Sequence, residues 1–207
     1  MTETLLLKKA KILDAERISR MIDRMAHEIA ERQKDLPGLA FIGIRTRGVP
    51  LSTRLASRLA GLVGTPFPVG TLDITLYRDD LSTVAPQPLL KKTEIEFDLN
   101  DRTVILCDDV LYTGRTIRAA LDGVIDLGRP RAIRLAVLID RGHREFPIEA
   151  NYVGKSVPTA QREVIKVMFE ETDSADEVWI LERRILVRCQ GSGVGCQGHD
   201  TSIQPVE

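Results

Sequence analysis

The sequence predicts an α/β fold in which a central parallel sheet is flanked by helices. Two observations carry that expectation. The apolar runs at 39–44 and, without alternation, at 104–106 have the pattern of strands covered on both faces, and 133–139 reads as another strand. Segments with apolar residues at helical spacing lie between them, so strands and helices take turns along the chain, as in a layered sheet with right-handed crossovers.

In chain order, residues 14–34 place Ile18, Met21, Ile22, Met25 and Ile29 on one face of an amphipathic helix, with Asp14 positioned to cap its start. Residues 39–44 predict a buried strand, 51–62 a helix, 71–77 a strand, 117–127 a helix and 133–139 a strand. Residues 178–181 add a last strand. The order of strands in the sheet does not follow from one sequence. Residues 82–88 carry serine and proline without periodicity, and read equally as a lid over a site or as a slack connection. No internal repeat is visible. One domain, 1–183, is therefore expected, followed by a tail, 184–207, whose glycine-rich stretch 190–198 predicts disorder.

Composition narrows the class. A chain of 207 residues, 43% hydrophobic and 29% charged, buries one good core. Its formal net charge of -1 gives no bulk attraction to nucleic acid or to an anionic membrane, so any RNA contact must rest on particular residues. Three cysteines provide no disulfide framework, and Leu5-Leu6-Leu7 is too short for a signal-peptide core or a membrane span. A cytoplasmic protein is expected. Cys107 reads as a small buried hydrophobe rather than a nucleophile. Cys189, Cys196 and His199 fall short of the four groups in a rigid frame that a zinc site needs, so no protein-built metal site is expected.

The run from Val104 to Thr116 is the most informative segment. A buried strand in a parallel sheet delivers the residues after it to the sheet's carboxyl edge, which places Asp108 and Asp109 at a binding crevice. Ionised carboxylates only accept hydrogen bonds, so an adjacent pair suits paired hydroxyls such as those of ribose, or a divalent cation beside them. Thr113-Gly114-Arg115-Thr116 then turns the chain into a helix whose free amides and dipole favour a phosphate. Taken alone, Asp-Asp before a Thr-Gly turn also describes an ordinary helix cap. Arg45-Thr46-Arg47-Gly48 follows the 39–44 strand with two cations and a glycine, a combination suited to a diphosphate.

The whole run from Val104 through Val110, Leu111, Tyr112, Thr113, Gly114 and Arg115 to Thr116 resembles the phosphoribosyl pyrophosphate (PRPP) signature of type I phosphoribosyltransferases. The likeness narrows further through Gly43-Ile-Arg-Thr-Arg-Gly48, Asp73-Ile-Thr-Leu-Tyr-Arg-Asp-Asp-Leu-Ser82, Leu138-Ile-Asp-Arg-Gly-His-Arg-Glu-Phe-Pro147 and Tyr152-Val-Gly-Lys155. With these the chain is similar, over roughly 11–181, to the family of bifunctional pyrimidine-operon attenuators and uracil phosphoribosyltransferases called PyrR.

That resemblance implies the type I phosphoribosyltransferase fold, with a small hood and a mobile lid, and transfer of uracil onto PRPP to give UMP, with magnesium bound mainly through PRPP. It implies that Asp108 and Asp109 hold the ribose, that Tyr112 to Thr116 take the 5-phosphate, and that Arg45, Thr46, Arg47 and Gly48 take the diphosphate. Arg78 would come from the lid, Val110 would pack on the base, and Ile139, Asp140 and Arg141, continuing to His143, would form the hood. Purine enzymes usually carry an aspartate just before the Thr-Gly turn, where this chain has Tyr112, which favours a pyrimidine.

The same family implies a homo-oligomer and UMP-dependent binding to leader mRNA of pyrimidine genes. Arg17, Arg20, Arg24 and His27 share a helical face, and Arg141, His143, Arg144, Lys155 and Thr159 would extend it. Asp23 and Glu31 lie on or near that face, and Glu149 stands where RNA-binding relatives tend to be basic. A solvated helix face is the other reading of such arginines.

Overall fold

The computed structural model describes residues 2–77 and 93–187. In chain order they form β1 (Thr2–Leu13), α1 (Ala15–Arg32), β2 (Leu39–Ile44), α2 (Gly48–Val63), β3 (Val69–Leu72), a 3-10 turn (Thr75–Tyr77), β4 (Thr103–Leu111), α3 (Arg115–Leu127), β5 (Ala132–Asp140), β6 (Tyr152–Ser156), β7 (Glu163–Met168), α4 (Glu170–Asp173) and β8 (Glu177–Val187). Five strands make a parallel sheet in the order β3-β2-β4-β5-β6, and three make a separate antiparallel sheet in the order β1-β8-β7.

The main sheet explains the apolar runs. Along β2 and β4, Phe41, Ile105 and Cys107 join the core under α1 and α2, while Ile42, Ile44, Val104 and Leu106 join the core under α3. Both faces are covered, so neither strand needs a polar alternate. Helix α1 begins where Asp14 accepts the Arg17 amide at 2.9 Å, and it buries Ile18, Ile22, Met25, Ala26 and Ile29. Helix α2 ends at Gly64, whose φ of 74° is the left-handed conformation that glycine adopts without strain. Strand order reverses between β2 and β4. Loops leaving the carboxyl ends of these two strands therefore open a crevice, the usual ligand position in such sheets.

Several expectations change in detail. The strand expected over 71–77 is only β3, because Asp73 accepts the amide of Thr75 at 2.9 Å and turns the chain out of the sheet. The helix expected from 51 starts at Gly48, and the strand expected over 178–181 runs from 177 to 187, past the expected domain end at 183. Strands β1, β6 and β7 were not foreseen. Arg78 and residues 82–88 of the expected lid lie outside the described residues, as do Cys189, Cys196 and His199 of the tail. On either side of that lid segment the backbones of Thr71 and Glu94 exchange two hydrogen bonds of 2.8 Å, so the chain returns beside the strand it left. No helix among the described residues is long and apolar enough to cross a membrane.

Candidate active site

The two loops at the strand reversal meet backbone to backbone. A Cβ on Gly48 would stand 2.3 Å from the carbonyl oxygen of Cys107, and one on Gly43 would stand 2.5 Å from Cα of Val49. Only glycine permits this approach, which sets the Arg45–Gly48 loop against the end of β4. The Arg45–Thr46 peptide is cis. Arg45 lies 3.6 Å from Glu94. Arg47 donates through Nε and Nη2 to both oxygens of Asp173, at 3.0 and 2.6 Å.

Asp108 and Asp109 stand at the carboxyl end of β4, as expected. Asp108 is buried at 6% exposure and accepts the Asp109 amide at 3.0 Å, while Asp109 opens toward the cleft. Burial, joined by the negative charge of Asp109, pushes the Asp108 carboxyl well above the usual carboxylate range. Burial also raises Asp109, with Asp108 and the Arg47 guanidinium opposing that rise. Cys107 is fully buried in core and its thiol is pushed up by burial, the opposite of a nucleophile's activation.

After β4 the chain passes Tyr112 and Thr113 to Gly114, whose φ of 93° starts α3. The first turn of α3 follows at once, with the positive end of the helix dipole at Gly114 and the Arg115 amide 3.4 Å from Thr113 Oγ1. The Thr113 carbonyl accepts the amides of Glu145 and Phe146 at 2.9 and 3.1 Å, and Arg115 pairs with Glu145 at 2.6 Å. The phosphate-type loop is thus braced from outside.

Two residues expected on an RNA surface are instead internal braces. Arg141 is 5% exposed. Its guanidinium lies 3.9 Å from the Tyr112 ring centroid and donates to Thr159 Oγ1 and to the carbonyls of Ala160, Gln161 and Glu163. Arg144 pairs with both oxygens of Asp140 at 2.6 Å and donates to the carbonyls of Tyr112, Gly142 and Ile148. Donors committed in this way are not free to grip phosphates. Thr159 is likewise engaged by Arg141, and His143 by the Thr159 carbonyl at 2.6 Å, although the His143 ring is exposed.

The expected hood also moves. Ile139 and Asp140 belong to the main sheet, paired with Val110 and Leu111 on one side and Lys155 and Ser156 on the other, because their backbone groups continue the β5 ladder. Arg141 follows them and ties β5 to the small sheet. That small sheet forms the opposite wall. A cavity of about 430 Å³ lies between it and the cleft, lined by Leu6, Lys8, Val164, Lys166 and Leu181 facing Arg47 and Asp109. Of this wall, sequence reading reached only residues 178–181 of β8, and it missed β1, β7 and Asp173. The β-branched residues Val164, Ile165 and Val167 were the available signal for β7.

On α1, Arg17, Arg20 and Lys155 of neighbouring β6 are exposed, and Arg20 pairs with Glu16 at 3.5 Å. Arg24 donates to the carbonyls of Val153 and Gly154, joining α1 to β6 in one surface. His27 Nδ1 lies 2.8 Å from the Asp23 carbonyl oxygen, and Asp23 pairs with Arg58 at 3.1 Å. Glu149 is exposed nearby in sequence to the Arg144 brace.

The phosphoribosyl transferase domain family matches residues 9–171. The chain is 61% identical over 174 residues to the bifunctional protein PyrR of Deinococcus radiodurans, covering 84% of this chain and 95% of that protein. It is 51% identical over 177 residues to the bifunctional protein PyrR of Clostridioides difficile, covering 86% of this chain and 100% of the other. Among solved structures, a hypoxanthine phosphoribosyl transferase of Trypanosoma cruzi superposes with a TM-score of 0.66 at 16% identity, over 85% of this chain and 92% of that one, a likeness of fold.

Proposed function

We propose that this chain, which belongs to the phosphoribosyl transferase domain family and within it to the bifunctional PyrR proteins, joins uracil to PRPP to give UMP and pyrophosphate. The observation that carries this reading is the meeting, at one strand reversal, of a carboxylate pair, a glycine-started helix and an arginine loop. Asp108 and Asp109 accept the ribose hydroxyls. Thr113, Thr116 and the first amides of α3 hold the 5-phosphate, and Arg45, Thr46, Arg47 and Gly48 meet the diphosphate, whose charge grows as its bond to the anomeric carbon breaks. Val110, Ile139, Asp140 and Arg141 stand on the side of the base, and Arg78 belongs to the proposed lid. With Tyr112 rather than an acid before the turn, and its ring covered by Arg141, the base is a pyrimidine.

Magnesium fits this cleft. Among the described residues no cluster of three or more His, Cys, Asp and Glu side chains holds a metal by itself. Two adjacent carboxylates beside a diphosphate are enough for a hard cation that keeps its waters and takes most ligands from substrate oxygens. When bound it neutralises charge on the diphosphate. The residues of the chain do the rest: they orient the ribose, hold the departing anion and narrow the cleft against water.

The same protein is proposed to bind leader mRNA of pyrimidine genes in the presence of UMP, through Arg17, Arg20, His27 and Lys155 on the surface that Arg24 makes continuous by joining α1 to β6. Its partners are thus uracil, PRPP, UMP and that RNA, for a cytoplasmic homo-oligomer. The first test is turnover of uracil with PRPP and magnesium, with hypoxanthine in parallel. UMP formation without IMP is expected; IMP alone would overturn the pyrimidine assignment. For RNA, log affinity measured with UMP is expected to fall with log salt by about 0.7 per phosphate contacted. A salt-independent signal, or none at low salt, would remove the regulatory half.

A further inference from the structure

Asp173 stands in a short acidic turn at the edge of the small sheet, far in sequence from any motif, yet its carboxylate meets the diphosphate-type loop. Its position does not depend on Arg47. The Asp173 amide donates to the Phe169 carbonyl at 2.7 Å, and one of its carboxylate oxygens accepts the Phe169 amide at 3.2 Å. Arg54 of α2 fastens the same turn separately, donating to both oxygens of Glu171 and both of Asp176 at 2.7 to 2.8 Å, with its guanidinium 5.0 Å from the Phe169 ring centroid. The turn is therefore a fixed platform on α2. Arg47, by contrast, has a long side chain at the start of a helix and no fixed geometry of its own.

We propose that Asp173 is a positioning residue for the transfer reaction: it fixes the Arg47 guanidinium beside Asp109 so that the remaining donors are already aimed into the cleft for the diphosphate. The contact uses Nε and Nη2, and Nη1 makes no hydrogen bond among the described residues. A planar guanidinium held along one edge has its other edge oriented, which a lysine at the same place would not provide. The pair is 32% and 13% exposed at its two side chains, so it is partly withdrawn from solvent but open to a ligand. The hydrogen bond from Arg47 holds the Asp173 carboxyl below the usual carboxylate range, which keeps it ionised at neutral pH.

This inference rests on the phosphoribosyl-transfer reading, and pyrophosphate and UMP separate the two. Binding of each to the full chain is measured by calorimetry, for the wild type and for Asp173→Asn. Pyrophosphate is expected to bind about tenfold more weakly to the variant, with UMP, which lacks the diphosphate, unchanged. Against an Arg47→Ala background the same substitution is expected to add nothing, because Asp173 acts through that arginine. Equal or tighter pyrophosphate binding by Asp173→Asn would overturn the proposal, as tighter binding would make the aspartate a competitor. Parallel loss of UMP binding would overturn it by making the residue merely structural. A further loss in the Arg47→Ala background would overturn it by making Asp173 act directly. If the wild type binds neither probe, the transfer reading itself falls, and this proposal with it.

Discussion

Replacing Asp108 and Asp109 together with asparagine is expected to lower uracil transfer by about a thousandfold while leaving the folded protein at least as stable as before. The two parts of that result have one cause. Both carboxyls sit in the end of a strand covered by core on both faces, and burial raises both, Asp108 furthest, with its neighbour's charge adding to it. For a carboxyl raised in the folded state, the folded protein binds more protons than the unfolded chain once pH exceeds the unfolded value. Stability from these groups is therefore complete below the ordinary carboxylate pKa and declines as pH rises toward the folded values. Asparagine cannot ionise and removes that decline. Urea denaturation of the two proteins across neutral pH measures it directly, beside turnover. A double variant that loses activity and stability together would show that the carboxylates hold the fold rather than the substrate. Ribose binding also draws on the ionised form, so PRPP affinity of the wild type is expected to rise with pH and to release protons.

The second large effect is expected from a single methyl group. Gly48→Ala places a Cβ 2.3 Å from the Cys107 carbonyl oxygen and 3.3 Å from Cα of Asp108, and both neighbours are backbone, so no side chain can swing aside. The loop and the β4 end must separate. Overpacking of this kind costs about 1–3 kcal/mol, and a shift of about 1 Å at a reacting centre lowers rate by about a hundredfold. Turnover and the denaturation midpoint are expected to fall together. Gly61→Ala is the matched control. It lies in the same helix with nothing within 4 Å of the new methyl, and is expected to stabilise the protein by about 0.5–1 kcal/mol without change in turnover.

Residues near each other in sequence were the readable part of this molecule. The β2 and β4 strands, the Asp108-Asp109 pair and the Gly114 turn each encode their structure within a dozen residues, through burial on two faces or through a backbone angle only glycine takes freely. The small sheet is not encoded that way. It pairs Thr2 with Val187 and Glu163 with Glu182, and no local pattern fixes such a register. The same limit explains the arginines. Arg141 and Arg144 look in sequence like Arg17 and Arg20, since a guanidinium bonded to carbonyls and one beside an exposed carboxylate differ only in tertiary surroundings. Asp173 was invisible for that reason too: its meaning comes from Arg47, on another element.

The pairing of β1 with β8 has a consequence for synthesis. β1 leaves the ribosome long before the residues of β8 exist, so its backbone edge must wait unpaired while the parallel sheet forms behind it, and Leu5, Leu6 and Leu7 stay exposed even after β8 pairs with it. The nucleotide-type cleft can assemble during translation, but its far wall closes only once residues 177–187 have been made, leaving a late window in which the unpaired edge of β1 is open to chaperones or to its own copies on neighbouring ribosomes.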